Sequence, residues 1–232
     1  MNRSPLKKLI AGLAALGAVA AVAPGAQAAT VSQSNGVLAV TAQPGETNNM
    51  RLTLTDTYLE VLENNSGGVT PLAGTTCIRF SPGHARCNLT GVSFVRVYGG
   101  DLHDYLYAEL YGTRAFQMYG GPGNDYVDVA GTRDNRAFLY GEDGDDQVYG
   151  RQFGDTAYGG PGNDTIGLGD GSDTANGGPG ADRIDTGAGD DFVYAKDSAR
   201  DVVACGLGTD WAQIDRSWYL TDSVSGCETL AS

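Results

Sequence analysis

Short alternating runs of apolar and polar residues characterise the first part of the chain. In one such run Met50, Leu52 and Leu54 lie at every second position, which is the period of a strand with one buried face. Residues 36–40 and 92–97 are rich in the same β-forming side chains, and segments rich in Gly, Pro, Asn and Ser separate the runs. No stretch before residue 99 keeps a helical period. This part of the chain is therefore predicted to consist of short strands.

From residue 99 onward the pattern changes to a nine-residue repeat. Glycines lie two and four residues before most of the repeated aspartates, and an apolar or small residue lies two residues after most of them. Each unit is thus a glycine-rich turn, an aspartate and a short strand with one inward side chain. Upstream, Asp104, Asp125 and Asp146 are spaced by two nines plus three, which indicates coils with a small insertion. The aspartates that recur without a gap are Asp146, Asp155, Asp164, Asp173, Asp182 and Asp191.

The chemistry of the turns favours a hard cation. Residues 120–210 contain 17 Asp but one Glu, Glu142. A merely acidic surface would not discriminate between the two, whereas a tight cage of oxygen atoms would, because Glu reaches one methylene further. Glycine can adopt positive φ, so that the turns can direct several carbonyl oxygens inward. Carbonyl and carboxylate oxygens without soft ligands suit calcium, which accepts six to eight oxygens in flexible geometry.

Three of the turns resemble a known repeat. Residues 120–128 (GGPGNDYVD), 159–167 (GGPGNDTIG) and 177–185 (GGPGADRID) match the G-G-x-G-x-D-x-U-x nonapeptide of RTX, or hemolysin-type, calcium-binding repeat proteins. The resemblance covers about residues 99–194. It implies an all-β fold, a right-handed parallel β-roll or β-solenoid in which two nonapeptides form one coil. It also implies calcium ions between turns stacked on the same side of the roll, with each aspartate able to bridge two ions.

The resemblance implies a set of metal-ligating residues. Some turns depart from the motif. Leu102 and Phe153 stand at the fourth motif position, where a glycine is expected, and Glu142 stands at the second. Residues 196–201 contain no glycine. Roughly three to six calcium ions are expected from the remaining turns. The implied aspartates are Asp125, Asp146, Asp164 and Asp182 on one side of the roll, and Asp173 and Asp191 on the other. The implied glycines are Gly121, Gly123, Gly144, Gly160, Gly162, Gly171, Gly178, Gly180 and Gly189.

The beginning of the chain is typical of an export signal. Basic residues precede an apolar run at residues 9–23, and Ala26-Gln27-Ala28 has the small-x-small pattern of a signal-peptidase site. Residues 1–28 are therefore predicted to be a signal peptide, and the protein to be secreted. A membrane anchor is the alternative, but the run is shorter than the ~20 residues that a spanning helix needs.

Three further segments are expected after the signal peptide. Residues 200–230 resemble the closing segment of secreted bacterial calcium-repeat proteins, and a solenoid needs its open ends covered. The predicted segments are an N-terminal β region or cap at 29–98, calcium-binding repeats at 99–194 and a disulfide-bonded C-terminal cap at 195–232.

Four cysteines in a chain predicted to be exported favour two disulfides. Three pairings are possible, and the most local one, Cys77 with Cys87 and Cys205 with Cys227, is predicted. A zinc site is the competing interpretation. It lacks support, because the chain has two histidines and no Cys-x-x-Cys motif.

Charge and motifs narrow the function. The net charge of −13 disfavours nucleic acids and anionic lipids as partners, and the 41% of apolar residues is too high for a disordered tail. The chain has no His-Glu-x-x-His and no Gly-x-Ser-x-Gly motif. It is predicted to be a monomeric, secreted calcium-binding β-roll protein without catalytic activity, folding on calcium binding outside the cell. The alternatives are a polysaccharide-active β-solenoid enzyme and a calcium-dependent adhesin with a polysaccharide or protein partner.

Overall fold

The computed structural model describes residues 28–64, 68–72, 74–131, 136–216 and 221–232. These residues form 22 strands and no helix. The predicted signal peptide, apart from Ala28, lies outside the described residues. The strands are β1 Ala29–Ser34, β2 Val37–Thr41, β3 Asn49–Leu54, β4 Tyr58–Glu63, β5 Val69–Pro71, β6 Cys77–Ser81, β7 His84–Asn88, β8 Phe94–Tyr98, β9 Tyr105–Leu110, β10 Ala115–Tyr119, β11 Tyr126–Gly131, β12 Ala137–Tyr140, β13 Gln147–Tyr149, β14 Thr156–Tyr158, β15 Thr165–Gly167, β16 Thr174–Asn176, β17 Arg183–Asp185, β18 Phe192–Tyr194, β19 Val202–Ala204, β20 Trp211–Gln213, β21 Ser223–Ser225 and β22 Thr229–Ala231.

The strands form two 11-stranded sheets that run along the whole described chain. Sheet A has the order β22-β20-β18-β16-β14-β12-β10-β8-β2-β1-β5, and sheet B has the order β21-β19-β17-β15-β13-β11-β9-β3-β4-β7-β6. From β8 onward the chain alternates between the sheets and every pairing between successive coils is parallel. The predicted parallel β-solenoid is therefore confirmed, with one strand of each sheet in every coil.

The N-terminal strands extend the same two sheets. Strand β2 pairs in parallel with β8 in sheet A, and β3 pairs in parallel with β9 in sheet B. Beyond them most of the pairing is antiparallel, between β1 and β2 and between β3, β4, β7 and β6, while the edge strand β5 pairs with β1 in parallel. This end of the roll is thus closed by antiparallel strands whose sequences show the alternation noted above, with Met50, Leu52 and Leu54 buried.

The core is a narrow column of small and branched side chains between the sheets. Each three-residue strand contributes one inward residue, as the repeat predicts, because successive side chains of a strand point to opposite faces. Ile166 and Ile184 of sheet B are 1% exposed, and Ala157 and Ala175 of sheet A are fully buried. The larger core residues, such as Phe116, lie nearer the N-terminal end.

The longer coils owe their extra length to strands. Strand β9 has six residues and β10 has five, whereas β15 and β16 have three each. Only residues 111–114 connect β9 to β10, while residues 168–173 connect β15 to β16. The additional residues expected at the 21-residue spacing therefore do not form an inserted loop in this coil: the strands are longer and one turn is shorter.

Both disulfides of the predicted pairing are present. Cys77 and Cys87 face each other on the antiparallel strands β6 and β7. Cys205, directly after β19, is bonded to Cys227, which lies between β21 and β22 on the next coil. The described part of the chain has no free cysteine. Among the described residues there is also no helix long and apolar enough to cross a bilayer.

Successive turns stack so closely that glycine is required by space as well as by conformation. Gly187 has φ of 92°, and a Cβ placed on it would lie 2.1 Å from the carbonyl oxygen of Gly169 on the preceding coil. Gly45 has φ of 82°, yet nothing lies within 4 Å of its Cβ position. The two glycines share the conformational demand and differ in the contact.

This pair separates the two contributions experimentally. Gly187→Ala is expected to lower the free energy of unfolding by at least about 2 kcal/mol more than Gly45→Ala, because only the first substitution drives a methyl group into the backbone of another coil. Urea unfolding in calcium-containing buffer, followed by circular dichroism, measures the difference. Equal losses in the two variants would show that the turns are not stacked as described.

Candidate metal centre

The repeat aspartates lie inside the roll, where each turn enters the following strand. Their side chains are buried in spite of their charge; Asp164 is 1% exposed and Asp173 is fully buried. They form two rows along the roll axis, because coils of equal length place equivalent residues above one another. The first ladder consists of Asp104, Asp125, Asp146, Asp164, Asp182, Asp201 and Asp222, and the second of Asp155, Asp173, Asp191 and Asp210.

One carboxylate oxygen of each aspartate holds two coils together. The backbone N–H of Asp146 donates to Oδ1 of Asp164 at 2.8 Å, and the N–H of Asp164 donates to Oδ1 of Asp182 at 2.8 Å. The same contact repeats along both ladders, with distances between 2.6 and 3.0 Å. Each aspartate therefore pins the turn of the preceding coil, a structural role that the sequence pattern alone did not reveal.

The second carboxylate oxygen is buried and unpaired. In ten of the ladder aspartates Oδ2 has no hydrogen-bond partner among the described residues. A buried carboxylate oxygen without a partner is costly, because it has lost its water and gained nothing in return. A proton or a cation at Oδ2 would remove this cost. These ten aspartates are Asp104, Asp125, Asp146, Asp155, Asp164, Asp173, Asp182, Asp191, Asp201 and Asp210.

The protonation of the ladders reflects the same imbalance. Burial raises the pKa of Asp164 to about 7; the N–H of Asp146 opposes this effect, and the neighbouring carboxylates of Asp182 and Asp146 add to it. Burial likewise raises the pKa of Asp125, Asp173 and Asp201 to about 7. Each group titrates far above the ordinary value of about 3.9 for an aspartate. The ladders thus resist carrying their negative charge without compensation.

The first glycine of each first-ladder turn makes room for the carboxylate. A Cβ on Gly159 would lie 2.2 Å from Oδ2 of Asp164, and one on Gly177 would lie 2.1 Å from Oδ2 of Asp182. The next residue in the Gly159–Gly177 column is Ala195, since its N–H bonds to Gln213 O on the next coil as the N–H of Gly177 bonds to Tyr194 O. On the second side only the turn of Asp155 begins with a glycine, Gly150, whose Cβ position lies 2.6 Å from Oδ2 of Asp155. The turns after it begin with buried Leu168, Thr186 and Cys205. The two sides of the roll therefore surround their carboxylates differently.

Residues that depart from the motif keep a positive φ but not the angle of the glycine they replace. Leu102 and Phe153 both have φ of 73°, whereas the glycines at the equivalent turn position, Gly123, Gly144 and Gly162, have φ between 141° and 152°. Glu142 has φ of 77°, also in the left-handed region. Asp201, which follows a turn without glycine, still lies in the first ladder with its Oδ2 unpaired. Non-glycine residues here carry strain, which the stacking of neighbouring coils must offset.

The predicted ligand residues all lie in the turns and the two ladders of the roll. The six predicted aspartates lie in the two ladders, and the nine predicted glycines all have positive φ, between 97° for Gly178 and 152° for Gly162. Asp104, Asp155, Asp201 and Asp210 share the same geometry but were left out of the prediction. The turns of Asp104, Asp155 and Asp201 lack one or more of the motif glycines, and Asp210 lies beyond residue 194, where the resemblance ends, so the resemblance does not imply these four residues.

Side chains alone do not complete a metal cage. The described residues contain no group of three or more His, Cys, Asp or Glu side chains that converge on one point. The ladder geometry explains this absence, because neighbouring carboxylates belong to successive coils. An ion at a ladder would have to draw most of its oxygens from the backbone of the glycine-rich turns.

Comparison with known proteins agrees with the repeat pattern over part of the chain. Residues 140–175 and 167–197 match the family model described as RTX calcium-binding nonapeptide repeat, in four copies. No curated protein and no solved structure matches the chain. The matched segment contains the 18-residue coils of the roll, with strands β13 to β18. The glycine turns and the parallel coils of this segment agree with the match of its sequence to the family model. The chain therefore carries RTX calcium-binding nonapeptide repeats.

Proposed function

We propose that this protein is a secreted calcium-binding β-roll protein without catalytic activity, in which calcium compensates the aspartate ladders and thereby folds the repeats. The observation that carries the proposal is the row of buried, unpaired Oδ2 atoms beside turns rich in glycine. Every donor atom on offer there is oxygen, the ligand type that calcium prefers. A cation at this position would remove the electrostatic cost that the ladders carry.

The proposed ligands are those of the motif. Carboxylates of Asp125, Asp146, Asp164 and Asp182 on the first ladder, and of Asp173 and Asp191 on the second, would hold the ions together with carbonyl oxygens of the adjoining glycine turns. We expect roughly three to six ions, the range suited to this number of stacked turns. When bound, calcium supplies positive charge and flexible coordination, while the chain supplies the fixed spacing of the coils.

The compartment follows from two considerations. Disulfides persist in oxidising environments, and the protein has two of them. Extracellular calcium modules typically bind at about 10⁻⁴–10⁻³ M, so that the repeats would be filled outside a cell and empty inside it. The signal peptide at residues 1–28 remains a prediction from the sequence. We likewise propose the segments 29–98, 99–194 and 195–232 as cap, repeats and closing cap.

A non-catalytic role is proposed because the buried carboxylates join successive coils and are closed to substrate. The ladder aspartates hold the coils through Oδ1, and their buried Oδ2 atoms are closed off from solvent; those of Asp125, Asp146, Asp164 and Asp182 lie beside the first glycine of their turns. A polysaccharide-active enzyme would need an acid/base pair open to substrate.

Removing calcium tests the proposal directly. The repeats are expected to lose most of their β-structure in excess chelator at pH 8, since ion binding and folding are coupled when no site exists in the unfolded chain. Far-ultraviolet circular dichroism measures the loss, and calcium, but not the same concentration of magnesium, is expected to restore the spectrum. A β-sheet spectrum that is unchanged after exhaustive chelation would contradict calcium-dependent folding.

Protons are expected to replace calcium in part. The folded pKa of Asp164 and Asp125 is about 7, above the unfolded value, so protonation favours the folded state. The stabilisation is fully present below the unfolded value near 4 and is lost as pH rises through about 7. In chelator, the β-structure should therefore increase as pH falls from 8 to 5.5. A chelated protein that is less ordered at pH 5.5 than at pH 8 would rule out this origin of the instability.

A single isosteric substitution separates the ladder contact from ion binding. Asp164→Asn keeps the Oδ1 acceptor for the N–H of Asp146 and removes the charge at Oδ2. If Asp164 bridges two ions, the substitution should lower the number of bound calcium ions by more than one. The variant should also need a calcium concentration at least about tenfold higher to fold. Isothermal titration calorimetry and circular dichroism give the two values.

Asp185→Asn provides the matched control. Asp185 lies three residues after Asp182 and is exposed on the outer face of strand β17, so that its removal changes the charge by the same amount without touching a ladder. Its calcium stoichiometry should equal that of the unsubstituted protein. Equal effects of the two substitutions would mean that total charge, rather than the ladder, governs calcium binding.

A further inference from the structure

A groove of about 900 Å³ lies on the outer face of sheet B, where no ladder carboxylate reaches. It is lined by the outward side chains of strands β13, β15 and β17 and by the edge of the neighbouring turns. Its volume lies within the range of about 300–1,000 Å³ typical of pockets for small ligands. We call it the sheet B groove; its principal side chains are Tyr126, Tyr149, Arg151, Thr165, Arg183 and Asp185.

The groove exists because one position in a row of outward side chains is a glycine. Tyr149, Gly167 and Asp185 are neighbours in register on successive coils. A Cβ placed on Gly167 would lie only 3.1 Å from Cδ1 of Tyr149, so the tyrosine ring leans over the vacant position. Because Gly167 has no side chain, the row of outward side chains is interrupted next to the Tyr149 ring, and this interruption opens the groove.

The tyrosine row changes orientation at this point. The rings of Tyr105 and Tyr126 are stacked, with centroids 4.7 Å apart and planes 4° apart. The rings of Tyr126 and Tyr149 are 5.5 Å apart and tilted by 47°. The tilt turns the last ring out of the stack, which leaves Tyr149 available to a ligand in the groove.

A fixed arginine forms part of the rim. Nε of Arg151 donates to Oδ1 of Asp128 at 2.9 Å, and its Nη2 donates to Oδ2 of the same carboxylate. The hydroxyl of Tyr126 donates to Oδ2 of Asp128 at 3.0 Å, and the Asp128 side chain is 2% exposed. The two-bond geometry holds the guanidinium in place, which lowers the entropic cost of using its remaining N–H groups.

The opposite rim carries both signs of charge. Arg183 and Asp185 are exposed at alternate positions of strand β17 and point to the same face. With Arg151 they give the groove two guanidinium groups and one exposed carboxylate, and the charge of Arg151 is balanced by the buried Asp128 beside it. A ligand with many neutral donors and acceptors can bond to all of these groups, whereas an anion would be repelled by Asp185 and by the net charge of −13.

We propose that the sheet B groove binds a short neutral oligosaccharide. The C–H face of a sugar ring would pack on Tyr149 above Gly167, and sugar hydroxyls would bond to Arg151, Arg183 and Asp185. Aromatic rings offer a large apolar surface together with a directional electron-rich face, which suits a ligand that is apolar on one face and polar at its edges.

The groove is connected to the metal rows through its backbone. Gly169 and Gly187, which line it, belong to the turns that end in Asp173 and Asp191. Oligosaccharide binding is therefore expected to require folded coils, and it depends on calcium to the extent that the proposed function holds. The ligand test is accordingly made at saturating calcium, on protein whose circular dichroism shows it to be folded.

The test begins with an array of neutral and anionic oligosaccharides, followed by calorimetric titration of the best neutral ligand. Tyr149→Ala and Arg183→Ala are expected to weaken that ligand at least tenfold, and Gly167→Leu to abolish binding by filling the open position. The matched control is Tyr158→Ala. Tyr158 is the last ring of the stacked tyrosine row on sheet A, next to Tyr140 at 5.1 Å, and is exposed on the other sheet, away from the groove.

The outcomes are distinct. Binding of a neutral oligosaccharide that is lost in the groove variants and retained in Tyr158→Ala supports the proposal. The proposal is overturned if the folded, calcium-loaded protein binds no neutral oligosaccharide, if it binds only anionic ones, or if Tyr158→Ala weakens binding as much as Tyr149→Ala. Calcium stoichiometry measured on the same preparations separates a failure of the groove from a failure of the calcium proposal.

Discussion

The roll depends on one contact, in which an aspartate carboxylate accepts the backbone N–H of the aspartate one coil earlier. Because this contact uses Oδ1 and buries the whole side chain, Oδ2 is left without a partner. The same residue thus joins the coils and creates an electrostatic cost. A proton or a cation at Oδ2 would remove this cost, and for this reason we propose that the repeats fold with calcium.

The hydrophobic core cannot take over this role in the repeats. Strands β13 to β20 contribute one inward residue each, and several of these are alanine, such as Ala157 and Ala175. Little apolar area is removed from water per coil, while the long glycine turns lose more conformational entropy on folding than other residues would. Near the N-terminal end, longer strands bring Phe116, Met118 and Leu139 into the core. The balance therefore shifts along the roll from apolar packing to charge compensation.

Much of this arrangement follows from a single periodicity in the sequence. A nine-residue repeat fixes which residues lie above one another, so the two ladders and the inward Ile166 and Ile184 could be predicted. The different roles of the two carboxylate oxygens could not be predicted, because the register does not show which oxygen accepts a backbone N–H. The positive φ of Leu102 and Phe153 could not be predicted either. Local sequence preference disfavours this backbone conformation, so the contacts with neighbouring coils must stabilise it.

The ends of the first ladder show how such a row can stop. At the N-terminal end Asn48 occupies the next position: its backbone N–H donates to Oδ1 of Asp104 at 2.6 Å, and its amide donates to the same oxygen at 3.0 Å. An amide ends the row without adding another buried charge. At the other end, the column of glycines that accommodates the carboxylates gives way to Ala195 and Ile214, both buried. Side chains there fill the space that Gly159 and Gly177 leave open, so the first ladder ends in a neutral amide on one side and in apolar side chains on the other.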